Sequence, residues 1–198
     1  MKKVLMCLII IVSLGFIGCG KTNTATNIPN KATKNIALAA TQQTQNTEIQ
    51  YYFPRAGQHP DKELINIINN TKSNLDIAIY SITDKDIVNA IISAKNRGIT
   101  VRIISDKVES KNKYQKQELQ LLKNAGIPIK INNHRGIMHL KVTIADNSIV
   151  TTGSYNYTEA ATKYNDEVLV VINNGKVAQD FDAEFEVMWN DNSNFKNF

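Results

Sequence analysis

The chain has 198 residues, of which 42% are hydrophobic, enough for one folded domain plus a tail and too few for several cores. Its formal charge of +5 favours anionic partners such as nucleic acid or acidic lipid. The two cysteines are Cys7 and Cys19, so everything beyond residue 19 is excluded from disulfide-stapled and cysteine-metal classes.

The predicted elements begin with a targeting signal. Lys2 and Lys3 form a basic start, and 4–18 is an apolar run shorter than the roughly 20 residues of a membrane span. Phe16-Ile17-Gly18-Cys19 resembles a bacterial lipobox, with Phe16 standing where Leu is usual. Residues 1–18 are therefore expected to be a lipoprotein signal peptide and Cys19 the lipidated first residue. The domain would then lie outside the cytoplasm, anchored to the bacterial cell membrane. Loss of Lys2 and Lys3 takes the charge from +5 to +3. Residues 19–47 are polar, without hydrophobic period, and read as a flexible tether.

The folded domain is expected over 48–198, with alternating strand and helix signals. Residues 49–53 predict a strand. Residues 61–71 predict a helix with Leu64, Ile65, Ile67 and Ile68 on one face, and 75–81 a strand. A helix over 84–97 is stopped by Gly98. A strand follows at 100–105, then a charged helix over 112–124 stopped by Gly126, and a strand at 127–131. Two strands, 138–145 and 149–155, are joined by a turn at Asp146-Asn147-Ser148. A strand at 167–172 and a helix over 175–189 close the chain, with Phe185 and Trp189 as core anchors. The fold class is α/β, a mixed sheet with helices on both faces.

The chemistry is concentrated in His139-Leu140-Lys141, Asp146 and Gly153-Ser154-Tyr155-Asn156, which read H-x-K-x4-D-x6-G-S-x-N. Six fixed identities at about one in twenty each would coincide by chance about once in tens of millions of windows. Residues two apart on a strand share a face. His139 and Lys141 would face one way, and Ser154 and Asn156 would do the same next door. An imidazole, an ammonium, a hydroxyl and an amide then surround one small volume. Such a set suits a phosphodiester: Lys141, Ser154 and Asn156 hold non-bridging oxygens, and His139 attacks phosphorus. The ring of His139 needs an orienting carboxylate. Glu167 is the candidate and Asp166 its competitor; strand alternation favours Glu167 by putting Val168 and Val170 toward the core. Asp146 and Gly153 read as structural, Asp146 ordering the hairpin.

The pattern resembles the phospholipase D superfamily signature at every fixed position. Its small, single-motif bacterial endonucleases resemble this chain over the whole domain from about residue 48. The resemblance implies a phospholipase D-like fold and a phosphodiesterase that needs no metal or other cofactor. It also implies a homodimer sharing one active site, since the motif occurs once. One His139 would then be nucleophile and the other general acid. The expected substrate is DNA, with RNA also open. The alternative is a phospholipase D or cardiolipin-type phospholipid hydrolase. His134 and Arg135 sit in a loop that could touch flanking phosphates. His59 reads as a surface residue. Lys111, Lys113, Lys116 and Lys123 form either a solvated face or a nucleic-acid track. Tyr155 and Tyr157 could stack on bases, with Tyr155 more at home in the core.

Overall fold

A computed structural model describes residues 46–198. The signal segment 1–18, Cys19 and all of the tether except Asn46 and Thr47 lie outside the described residues. The strands are β1 (Glu48–Tyr52), β2 (Asn74–Ile79), β3 (Thr100–Ser105), β4 (Ile129–Asn132), β5 (Lys141–Ala145), β6 (Ile149–Gly153), β7 (Leu169–Asn173) and β8 (Phe195–Asn197). The helices are α1 (Pro60–Asn70), α2 (Lys85–Asn96), α3 (Lys113–Asn124), α4 (Glu159–Lys163) and α5 (Gly175–Asn190).

All eight strands form one sheet in the order β1-β7-β6-β5-β2-β3-β4-β8. The β2/β3 and β3/β4 pairs are parallel and the others antiparallel. The central strand β2 is buried on both faces. Its Leu75, Ile77 and Ile79 join Leu64, Ile68, Ile87, Ile91, Leu119 and Leu122 from α1, α2 and α3. Its Ala78 joins Ile104, Ile144, Val150 and Phe185 beneath α5. Helices thus cover both faces, as the alternating pattern predicts.

Local chemistry explains the boundaries. Asp84 caps α2 by accepting from the backbone N–H groups of Asp86 and Ile87. Asn112 caps α3 in the same way through the N–H of Tyr114. The β5–β6 hairpin turns through 146–148, with Asp146 and Asn147 both at positive φ (52° and 49°) and the N–H of Ser148 donating to the carbonyl of Ala145 at 3.0 Å. Under α5, Arg102 grips buried Asp76 through two bonds of 2.7 and 2.9 Å and reaches Glu186 at 2.7 Å. Its guanidinium lies 5.0 Å from the Phe185 ring centroid and 5.3 Å from that of Trp189, so the anchoring residues of α5 are fastened by an ion group as well as by burial.

Five predicted strands are shorter than expected, 75–81 and 127–131 by one residue each, and the other three corrections fall beside the site. The strand predicted over 138–145 begins only at Lys141. The N–H of Met138 goes to the buried carboxylate of Asp106 (2.9 Å) rather than to a neighbouring strand. The strand predicted over 149–155 ends at Gly153. There Ser154 and Tyr155 both donate to the carbonyl of Val168 (3.1 and 3.2 Å), two residues facing one in the manner of a bulge. That bulge delays β7 to Leu169. It also reverses the alternation expected for this strand: Leu169 and Val171 face the core formed with α1 and α2, and Val168 and Val170 do not belong to it. The short helix α4 has no counterpart among the predicted elements. Tyr155 and Tyr157 are both fully buried, so neither can stack on a base.

Candidate active site

The site lies at the sheet edge where β5 begins and β6 ends. His139, Lys141, Gly153, Ser154, Asn156 and Glu167 line one open pocket there. His139 is exposed in the lead-in to β5, and Lys141, at 4% exposure, is almost fully buried. The paired-strand picture is thus corrected in detail. His139, Ser154, Asn156 and Glu167 stand on segments just outside the strands, and only Lys141 and Gly153 are strand residues. They still converge, because the antiparallel register places Lys141 beside Ile79 and Gly153 beside Leu169.

Gly153 is what the geometry demands at the bulge. Its φ is +126°, and a Cβ built there would lie 2.2 Å from the carbonyl oxygen of Val168. No side chain fits that gap, and few residues tolerate that φ. Ser154 continues the clamp: its Oγ accepts from the N–H of Val168 at 3.1 Å, while its own proton is available to a ligand. The segment leading to Glu167 is therefore held at both polar groups of Val168.

Lys141 points its ammonium along the pocket. Its Nζ donates to the carbonyl of His139 at 2.9 Å and stands 4.8 Å from the centroid of the Tyr80 ring. Burial pushes its pKa below the ordinary lysine value, and the negative charge of Glu167 opposes that shift. The carbonyl bond, the aromatic face and Glu167 together keep a positive charge inside a partly desolvated pocket. There it is worth more to an anion than at the surface.

Tyr80 is a residue that motif reading missed. It follows β2, its ring meets that of His139 edge-on (centroids 4.6 Å apart), and its N–H donates to the carbonyl of Leu140 at 2.9 Å. Its hydroxyl donates to Glu109 at 3.3 Å; burial, followed by the nearby charge of Glu109, raises its pKa. Asp106, also missed, is fully buried. One oxygen takes the N–H groups of Val108 and Glu109 (2.7 and 3.0 Å) and the other that of Met138. It thereby joins the turn bearing Glu109 to the backbone bearing His139. Gln115, buried in α3, donates to the carbonyl of Tyr80 (2.9 Å) and accepts from Ile82 (2.8 Å). A signal for Asp106 exists, since it is polar at the carboxyl end of a parallel strand, where open α/β sheets place their sites. Tyr80 and Gln115 carry none.

Glu167 and Asp166 separate cleanly in space. Glu167 lines the pocket and influences Lys141. The Asp166 side chain is 95% exposed and points to Arg55, 3.9 Å away. Within one chain the carboxylate of Glu167 accepts from Asn165 at 3.2 Å. The ring of His139 has no hydrogen-bond partner among the described residues. The Oδ1 of Asn156 is buried and also unpartnered among them, which is uncommon for a polar atom outside a ligand site.

Asp146 lies away from this pocket. Its carboxylate accepts from the N–H groups of Lys72, Ser73 and Asn74 and from the Ser73 hydroxyl, at 2.7–3.2 Å. Partial burial alone would raise its pKa, but those four donors outweigh it and hold the group below the usual aspartate value. The motif's Asp thus ties the β5–β6 turn to the start of β2. His134 stacks edge-on against Phe195 (5.6 Å), Arg135 is exposed beside it, and His59 is exposed before α1.

Chemically, the pocket offers one imidazole, one ammonium, a hydroxyl, an amide and a carboxylate around space for a tetrahedral anion. The family model described as "Cardiolipin synthase, PLD-like domain" matches residues 64–189. A mitochondrial cardiolipin hydrolase of Chlamydomonas reinhardtii is 29% identical over 125 residues, covering 63% of this chain and 55% of its own length. A phospholipase D of Rickettsia conorii is 36% identical over 120 residues, covering 61% and 59%. The chain thus spans little more than half the length of these curated relatives. Among solved structures, Nuc of Salmonella typhimurium, a phospholipase D family member, has TM-score 0.72 and 30% identity, covering 77% of this chain and 99% of that one. NucT of Helicobacter pylori has TM-score 0.68 and 28% identity, covering 77% and 100%.

Proposed function

The chain belongs to the phospholipase D-like enzyme family, and from that membership we propose that it is a metal-independent phosphodiesterase cleaving nucleic acid through a phosphohistidine on His139. The observation that carries this reading is the convergence of His139, Lys141, Ser154, Asn156 and Glu167 on one pocket. The neutral ring of His139 attacks phosphorus with one nitrogen, and the bond to the leaving oxygen breaks. That oxygen takes its proton from a second, protonated imidazole. Water then attacks phosphorus and gives its proton back to that imidazole; the P–N bond breaks and His139 is restored. Lys141, Ser154 and Asn156 hold the non-bridging oxygens as charge builds on them. Glu167 orients His139 once the site is filled, since catalytic hydrogen bonds often tighten only with substrate.

One chain offers a single histidine in this pocket, so we place the second on another copy, in a two-fold homodimer. Ile137 and Leu140 bracket His139 at 50% and 41% exposure. That is apolar surface a second copy would cover. The proposal also keeps the expected anchor: the chain is exported and attached to the membrane through a lipid on Cys19.

A second reading is phospholipid head-group hydrolysis. It is favoured by the names of the curated relatives, phospholipase D and cardiolipin hydrolase. The same exposed Ile137 and Leu140 would then rest against a bilayer. The test is an assay of the purified full-length protein on plasmid DNA, RNA and phospholipid vesicles, with EDTA present, beside His139→Asn. DNA or RNA cleavage that survives EDTA and vanishes in the variant is expected. Abolition by EDTA would overturn the metal-free step, and lipid turnover without nucleic-acid cleavage would establish the second reading. A monomeric mass by light scattering would contradict the shared site.

A further inference from the structure

We infer that the cations running from the end of β3 onto α3 form a track for one strand of nucleic acid leaving the catalytic pocket, with Tyr114 as its stacking platform. The inference rests on the nuclease reading of the site. Because β2 and β3 are parallel and β5 runs antiparallel to β2, the end of β3 lies at the same sheet edge as the start of β5. The two are joined by the Tyr80 hydroxyl on Glu109 (3.3 Å). Lys111 follows Glu109 by two residues, and Lys113 opens α3. Lys107 and Arg135 stand at the ends of β3 and β4 on the same side.

Exposed cations outnumber acids on this flank, where Glu109 is partly exposed. Among the described residues, Lys107, Lys111, Lys113, Lys116 and Arg135 form no ion pair, while Lys163 and Lys176 are each paired with an acid one turn away. The only acid of α3, Glu118, is buried at 5% exposure, so the helix shows no carboxylate to solvent. On the opposite flank the pocket is bordered by Glu167. An anionic chain is therefore drawn toward α3 and repelled on the β7 side. Tyr114, 68% exposed, follows Lys113 in the first turn of α3 and makes no ring contact among the described residues.

An exposed aromatic ring set among unpaired cations suits a strand whose bases are unstacked. Val108 and Leu121 are also exposed on this flank, at 60% and 46%, so a bilayer is the competing occupant that the vesicle measurement below separates.

The experiment uses the full-length protein and measures KM on a single-stranded 20-mer, a duplex and bis(p-nitrophenyl) phosphate over a range of salt. For K113Q/K116Q, KM on the 20-mer should rise about tenfold relative to the small diester. Its dependence on log salt should flatten by about 1.4, at roughly 0.7 per lost single-strand phosphate contact. The control K62Q/K72Q removes the same charge elsewhere and should match wild type. Tyr114→Ala should raise KM on the 20-mer but not on the duplex, and Tyr114→Phe should restore it. Equal behaviour of the two lysine pairs, or an unchanged KM in Tyr114→Ala, would overturn the track. Weakened binding of K113Q/K116Q to phosphatidylglycerol vesicles, with oligonucleotide KM unchanged, would reassign the face to a membrane. Wild type that hydrolyses the small diester but no nucleic acid would overturn the nuclease reading itself.

Discussion

Gly153→Ala tests the bulge that assembles the pocket. The new methyl carbon would start 2.2 Å from the carbonyl oxygen of Val168, about 1 Å inside the contact distance two such atoms tolerate. Relief requires β6 and β7 to part at this point. That would sacrifice the bonds from Ser154 and Tyr155 to the Val168 carbonyl and the bond from Val168 to the Ser154 hydroxyl. Three such bonds contribute about 1 kcal/mol each, and alanine at φ +126° adds about 1–3 kcal/mol of strain. The expected loss is about 4–6 kcal/mol, a large share of the roughly 5–15 kcal/mol that holds a domain together. Gly98→Ala is the internal control. That glycine also has positive φ (+90°), but nothing lies within 4 Å of its would-be Cβ, so only backbone strain of about 1 kcal/mol remains. Urea unfolding of both variants, followed by Trp189 fluorescence, measures the difference. Equal destabilisation would refute the steric argument. So would full diesterase activity in Gly153→Ala, because Ser154 and Glu167 are positioned through this junction.

Other expectations follow from the same geometry. Tyr80→Leu removes the ring that packs on His139 and faces Lys141; kcat/KM on a small diester should fall about tenfold or more, roughly 1.4 kcal/mol of transition-state binding, while Tyr80→Phe keeps the ring and should stay near wild type. Glu167→Gln should lower kcat at least tenfold and Asp166→Asn should leave it within about twofold, measured under saturating substrate; the reverse order would reassign the orienting carboxylate. Asp146 has a depressed folded-state pKa, so its stabilisation is present above the unfolded value near 4 and is lost as pH falls through the lower folded value. Asp146→Asn should therefore cost about 2 kcal/mol at pH 7, and its melting temperature should vary less than that of wild type below about pH 4.

Much of the fold was legible because its core positions repeat. Leu64, Ile67 and Ile68 on α1, and Ile87, Val88 and Ile91 on α2, show the period of a half-buried helix, and all are buried. The helix stops at Gly98 and Gly126 and the turn at Asp146-Asn147 were readable because positive φ leaves a local residue preference. The strand ends at 138–140 and 153–156 were not, because they depend on long-range partners: the carboxylate of Asp106 for Met138, and the carbonyl of Val168 for Ser154 and Tyr155. Alternation over 167–172 failed for the same reason, since a bulge shifts which residue faces the core. Five of the six motif residues, His139, Lys141, Gly153, Ser154 and Asn156, line one pocket as their spacing suggests, and Asp146 stands at the hairpin turn. The groups that support them, Tyr80, Asp106 and Gln115, are distant in sequence and follow no fixed spacing.

The central claim is that His139 forms a covalent bond to phosphorus. Turnover of a diester labelled at phosphorus can be quenched in alkali, where phosphohistidine persists, and the protein digested with trypsin. The cut sites at Arg135 and Lys141 leave residues 136–141 as one peptide with His139 as its only histidine. Label on that peptide, absent in His139→Asn together with activity, is the predicted result. Label on another residue, or undiminished turnover in His139→Asn, would contradict it.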